Sequence, residues 1–269
     1  MKGINIILDS LVEGVKKTKE KAKNLLNETK NDEYININNK NYDNKNYDKN
    51  NENNYIIAEI YIKEVDINKD IRILNSYEEC LRTGKGWYKD EKFRNEDEIK
   101  ECEIKINDEL IPFNYFYEFK SRGKFIIKYS FKDKLKSTCL MFQGCSSLTN
   151  INLSNFDSNN VTIMNGMFYR CSSLKNVDLS NFNTKNVINM ALMFYGCSTI
   201  TNINLSNFIT NMVTNINGMF SGCSSLTNIN LSNFNATNVT NMSGVFYGCK
   251  SLKKYNIITK DSKILNLFK

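Results

Sequence analysis

The sequence predicts a small α+β cap module followed by a repeat solenoid of about five 26-residue coils, with an amphipathic helix at the start. Three observations lead there. Met141-Phe142, Met167-Phe168, Met193-Phe194, Met219-Phe220 and Val245-Phe246 recur every 26 residues without an insertion, and Cys145, Cys171, Cys197, Cys223 and Cys249 follow at one fixed offset. Such lock-step spacing marks an array in which each unit buries its apolar face only against its neighbours. Ahead of the array, residues 55–138 alternate apolar and polar positions, as half-buried strands do. Residues 1–30 instead space their apolar residues by threes and fours.

In the first segment, Ile4, Leu8, Leu11, Val15, Ala22 and Leu25 share one face and Lys16, Lys17, Lys19, Lys21 and Lys23 the other. This predicts an amphipathic or coiled-coil helix over 1–30. It could pair chains into a homo-oligomer, lie on a membrane surface or pack on its own protein, and membrane contact is the less favoured reading. Residues 31–54 are almost wholly Asn, Lys, Asp and Tyr, a composition that predicts a disordered linker.

Between 55 and 138 the expected strands run through Ala58, Ile60 and Ile62, then Ile71 and Ile73, Cys102 to Ile106, Leu110 to Phe113, and Phe125 to Phe131. Turns fall at Asn68-Lys69-Asp70 and Asn107-Asp108. Ser76 opens a helical stretch to Leu81 as an N-cap, and Asn114 to Phe119 is an aromatic cluster of undetermined type. A solenoid needs a differently folded unit over its open end, so capping is the simplest role for this module.

From 139 to 260 each coil carries an extended segment, with Leu148, Leu174, Ile200 and Leu226 in one buried column. Phe156, Phe182, Phe208 and Phe234 are expected to stack in a corner. The five repeat cysteines are expected to be reduced, buried thiols, because adjacent coils would hold their Cβ directions parallel, which suits a disulfide badly. Residues 261–269 read as a basic tail that could fold back as a lid.

The run Met-Phe-x-Gly-Cys-Ser-Ser-Leu-Thr-Asn-Ile-Asn-Leu, nearly intact from Met219 to Leu231, resembles the BspA-like leucine-rich repeats of bacterial and protist surface proteins. It is also similar to the related repeat of mycoplasmal lipoproteins, in which an Asn-Phe turn and a Val-Thr-Asn-Met arm follow the strand. The resemblance covers 139 to about 257. It implies a leucine-rich-repeat solenoid and, for many relatives, adhesion or protein binding at a cell surface.

Composition narrows the function. The net charge is +7, but residues 1–54 carry 10 basic and 9 acidic groups, 55–138 carry 17 of each, and 139–269 carry 9 and 3. That short basic end does not make a nucleic-acid surface. No histidine is present, which removes the commonest acid–base group and the Cys/His zinc sites. No catalytic set, metal site or cofactor is expected. With no apolar run of membrane-spanning length and no signal-peptide pattern, the residues favour a cytoplasmic protein, whereas the family resemblance points to a cell surface.

The expected function is a non-enzymatic protein–protein interaction scaffold, with a surface adhesin or a helix-assembled structural oligomer as alternatives. The candidate binding residues are the strand positions on a concave face that point away from the core: Asn150, Asn152, Ser154, Asn176, Asp178, Ser180, Asn202, Asn204, Ser206, Asn228, Asn230 and Ser232. This face is polar and has no aromatic anchor. Tyr169, Tyr195 and Tyr247 form a second candidate edge.

Overall fold

The computed structural model describes residues 54–84 and 90–267, all within one compact unit spanning 48–269. The helix expected over 1–30, and the linker expected over 31–54 apart from Asn54, lie outside the described residues.

The alternating residues form strands because one face can be buried while the other meets water. β1 (Tyr55–Ile62) buries Ile56, Ala58, Ile60 and Ile62. It pairs antiparallel with β6 (Gly123–Ser130), which in turn pairs with β3 (Glu103–Ile106), and β4 (Glu109–Ile111) closes that edge. The aromatic cluster at 114–119 contains β5 (Phe116–Glu118), an antiparallel partner of β2 (Asp70–Arg72). Helix α1 (Tyr77–Arg82) starts at Ser76, whose hydroxyl accepts the Glu79 N–H. The charged stretch after it carries a short helix α2 (Glu96–Lys100), held by the buried Ile99.

The repeats stack as predicted, each coil contributing one short strand: β7 (Leu148–Asn152), β8 (Asn176–Asp178), β9 (Asn202–Asn204) and β10 (Asn228–Asn230). Leu148, Leu174, Ile200 and Leu226 are all buried beneath them. A second side of every coil is joined by single parallel bridges from Ser137 through Ile163, Asn189 and Asn215 to Asn241. There the backbone N–H groups reach forward to the next coil. Phe142 donates to Met167, Phe168 to Met193, Phe194 to Met219 and Phe220 to Val245, at 2.9 to 3.0 Å.

That register stacks identical side chains. Phe142, Phe168, Phe194, Phe220 and Phe246 form a continuous ladder with centroids 5.4 to 5.9 Å apart and rings within 20° of parallel. The expected corner ladder is looser, from 5.9 Å at Phe156–Phe182 to 6.4 Å and 34° at Phe182–Phe208. None of the eight cysteines forms a disulfide, and all are buried. Those at 171, 197, 223 and 249 donate S–H to the carbonyls of Phe142, Phe168, Phe194 and Phe220 at 3.0 to 3.2 Å, so the thiol column stitches coils together as well as filling space.

Polar stitches do the same elsewhere. The buried Thr184 hydroxyl donates to Ile209 O and accepts Ile209 N–H, and Thr210 repeats this with Asn235. One column alternates large and small. Leu140, Gly166, Leu192 and Gly218 all sit at φ of 57° to 60°, and a Cβ on Gly166 or Gly218 would lie 2.5 or 2.7 Å from the preceding leucine's Cδ2. Each left-handed leucine therefore needs a glycine behind it.

Two ends break this regularity, and each is closed differently. At the start, β1 lies antiparallel along β7, and Asn75 and Asn95 take the carbonyls that an earlier coil would have served. Asn75 N–H donates to Met141 O at 2.7 Å and its side chain to Gln143 O at 3.1 Å, while Asn95 Nδ2 donates to Cys139 O at 2.8 Å. Tyr129 and Phe131 finish the two aromatic ladders edge-on, at 5.6 Å from Phe142 and 5.5 Å from Phe156. At the far end β11 (Ile257–Ile258) adds to β10. The segment read as a basic tail begins with helix α3 (Ser262–Asn266), capped by Asp261 and buried at Ile264.

Asn95→Leu should leave the Cys139 carbonyl and the Tyr77 N–H without their buried partner. The expected loss is roughly 3 kcal/mol in urea unfolding, at one to three per unsatisfied group. An unchanged midpoint would mean that the cap does not stand in for a coil.

Candidate functional site

The twelve strand residues divide by duty. Asn152, Asp178, Asn204 and Asn230 each accept the N–H of the serine two residues on, at 2.8, 2.9, 3.1 and 3.1 Å. These side chains end their strands as Asx turns, and Ser154, Ser180, Ser206 and Ser232 supply the N–H groups. The outer column pairs along the stack: Asn176 donates to Asn150 at 2.6 Å and Asn228 to Asn202 at 2.9 Å. Asn150 itself donates to Glu59 Oε1 of β1 at 2.9 Å.

No strand pairing joins β8 to β9, so the face is two sheets, β4-β3-β6-β1-β7-β8 and β11-β10-β9. At the break the Thr199 hydroxyl lies 2.9 Å from the carbonyls of both Ser172 and Leu174. The four-coil surface expected from the sequence is therefore divided after two coils. In the other direction it extends onto the cap. Register places Leu110, Lys105, Lys128, Ile57, Asn152 and Asp178 in one cross-strand row, and Ile126, Glu59, Asn150 and Asn176 in the next. Direct cross-strand neighbours lie about 5 Å apart.

The cap adds to this face the larger side chains that the twelve coil residues lack. Tyr61 is 50% and Leu110 63% exposed, Ile57 and Ile126 are half-buried, and Lys128 sits 4.3 Å from the Tyr55 ring. Lys124 is paired with Glu59 at 3.3 Å. Only β-pairing across some ninety residues of chain brings these groups beside Asn150 and Asn152. No local sequence pattern announces that pairing. Of the second candidate edge, Tyr169 and Tyr195 stack at 4.8 Å, with Arg170 5.3 Å from the Tyr169 ring, and Tyr247 stands apart, 78% exposed.

The titratable groups that cluster are committed to structure. Arg82 donates to Glu96 at 2.9 Å, and this contact, with smaller help from Tyr115 and Lys100 and against the cost of burial, holds the Glu96 carboxyl down at about 2. An anion so held is a poor base near neutral pH. Burial pushes the repeat thiols up, Cys145 to about 12 and Cys249 to about 11, which keeps them protonated and weakly nucleophilic. Among the described residues no three His, Cys, Asp or Glu side chains gather as metal ligands, and no helix is long and apolar enough to cross a membrane.

Fold and surface together define a capped repeat solenoid with an exposed sheet shared by cap and coils. Residues 133–260, slightly less than half of the chain, match the family described as "Mycoplasma protein of unknown function, DUF285". The chain is thus similar to a mycoplasmal repeat family, the second of the two likenesses in its sequence. No curated protein and no solved structure matches it.

Under native conditions a maleimide reagent should label Cys249 first, because it is 7% exposed on the last coil while Cys171, Cys197 and Cys223 are fully covered. Labelling of Cys197 at the same rate, read by peptide mass spectrometry, would contradict the stacked arrangement.

Proposed function

We propose that this chain is a non-enzymatic scaffold of the leucine-rich-repeat class, similar to the BspA-like proteins, that binds a protein partner on the outward face of its six-stranded sheet. The observation that carries the reading is the pair of adjacent rows from Leu110 to Asp178 and from Ile126 to Asn176, which, with the exposed Tyr61 on the same face of β1, set larger side chains on the cap beside small polar groups on the coils. Interfaces draw most of their energy from a few anchors ringed by polar contacts, and this surface has both parts. The coils alone offer only small polar groups, and eight of the twelve already hold turns or neighbouring amides. The cap is then both the end-piece of the solenoid and the energetic centre of its binding surface. The resemblance to surface repeat proteins supports a partner met at a cell surface, and a helix over 1–30 that joins chains would multiply weak contacts into avidity.

The test is capture by the full chain from detergent-solubilised cell-surface proteins. Tyr61→Ala with Leu110→Ser should weaken the captured partner by about tenfold or more without lowering the melting temperature, since both side chains are at least half exposed. Asn202→Ala with Asn228→Ala, beyond the break, should change capture little. If the second pair abolishes capture and the first leaves it intact, the surface lies on the far coils and the reading is wrong.

A further inference from the structure

The second side of the coils carries a feature unrelated to the sheet face. A cleft of about 270 Å³ runs along the bridge column, from Tyr77 and Phe93 of the cap, over Leu140 and Leu192, to Asn215 and Asn241. Tyr77 and Phe93 meet edge to face at 5.6 Å and wall its cap end. No charged side chain lines it.

The amides in the cleft are held in fixed orientations. Asn189 Oδ1 accepts the Ala191 N–H at 2.9 Å and Asn215 Oδ1 the Asn217 N–H at 3.0 Å. In both residues the carbonyl end is spent on the turn, and the Nδ2 donors have no protein partner among the described residues. Asn217 is turned the other way: its Nδ2 reaches Asn241 Oδ1 at 3.5 Å, which leaves its own Oδ1 as an acceptor. Oriented donors therefore repeat at the coil spacing, about 4.8 Å, from Asn189 to Asn215, with the Asn217 acceptor beside them and an apolar and aromatic wall at the cap end.

We propose that this cleft binds a neutral oligosaccharide. Sugar hydroxyls both donate and accept, so adjacent amide donors and acceptors can serve one ring, and the C–H faces of the ring pack on leucine and aromatic edges. Locked amides spare the ligand the cost of ordering them. An extended peptide fits less well. The backbone along this column is already spent between coils, with Met164 N–H on Asn189 O and Met190 N–H on Asn215 O, so no strand can be added. A strand also presents like groups every second residue, about 6.7 Å apart, out of step with the coils. The absence of charge argues against phosphorylated or acidic ligands. This site is separate from the sheet face, and either could fail without the other.

The experiment titrates the full chain with cellotriose, maltotriose and the N-acetylglucosamine trisaccharide, by calorimetry and saturation-transfer NMR. A tetraglycine-type neutral peptide serves as competitor. At least one trisaccharide should bind at millimolar concentration or better. Asn189→Asp and Asn215→Asp keep the acceptor that each turn needs but remove the amide donor, so each should weaken binding about tenfold at an unchanged melting temperature. Asn202→Asp, on the other side of the coil, should leave it unaltered. The proposal is overturned if none of the three sugars binds, if both Asp variants bind at native strength, or if the neutral peptide binds in the cleft and the sugars do not.

Discussion

Everything in this molecule depends on one interaction repeated coil after coil: a backbone N–H donating to the carbonyl 25 residues ahead. Those bonds hold successive coils in exact register, and register turns single residues into columns. Phenylalanine faces phenylalanine, thiol meets carbonyl, and a left-handed leucine finds a glycine behind it. A residue inserted within a bonded stretch of one coil would have to bulge out of these columns or break the bonds to the coils on either side. The stack cannot end freely, because a terminal coil exposes the same carbonyls or N–H groups that bind its neighbours. At the start, Asn75 and Asn95 answer those carbonyls with amide N–H groups. At the other end the Gly244 and Gly248 N–H groups have no such partner among the described residues, and a cavity of about 460 Å³ opens beside them.

What could be read from the sequence was whatever repeats or alternates locally. The 26-residue period sufficed for the stack, the leucine column and the buried thiols, because each rests on one residue type at one offset. The strands of the cap were legible from alternation at Ala58 to Ile62 and at Phe125 to Phe131, and Ser76 was legible as a cap. Asn75 and Asn95 were not, since a buried amide that serves a carbonyl more than forty residues away has no neighbourhood pattern. The thiol bonds to phenylalanine carbonyls were also hidden, being set by the stacking and not by the cysteine's neighbours.

The candidate face shows the same division. Its outward residues on the coils follow from strand alternation, but alternation is silent about which strand lies alongside. The antiparallel docking of β1 on β7 moves the surface onto the cap and supplies Ile57 and Tyr61 as anchors. At the break after β8 the hydroxyl of Thr199, where the other coils have serine, meets the Ser172 and Leu174 carbonyls. Asn152, Asp178, Asn204 and Asn230, which looked like free surface groups, are bound to their own turns, so replacing them with lysine would unmake strand ends as well as alter charge. The two sides of the array thus differ: one carries a sheet surface shared with the cap, the other a narrow cleft of oriented amides.

Native-state hydrogen exchange of the ladder amides tests this account most directly. If coil-to-coil bonding carries the stability, the amides of Phe168, Phe194 and Phe220 should be strongly protected, while those of Gly244 and Gly248 on the last coil exchange fast. Protection should also reach the first coil at Phe142, whose N–H donates to the Met167 carbonyl of the second. Fast exchange at Phe142 or Phe194, comparable to that at Gly244, would show that the coils are not held by one another and would contradict the account.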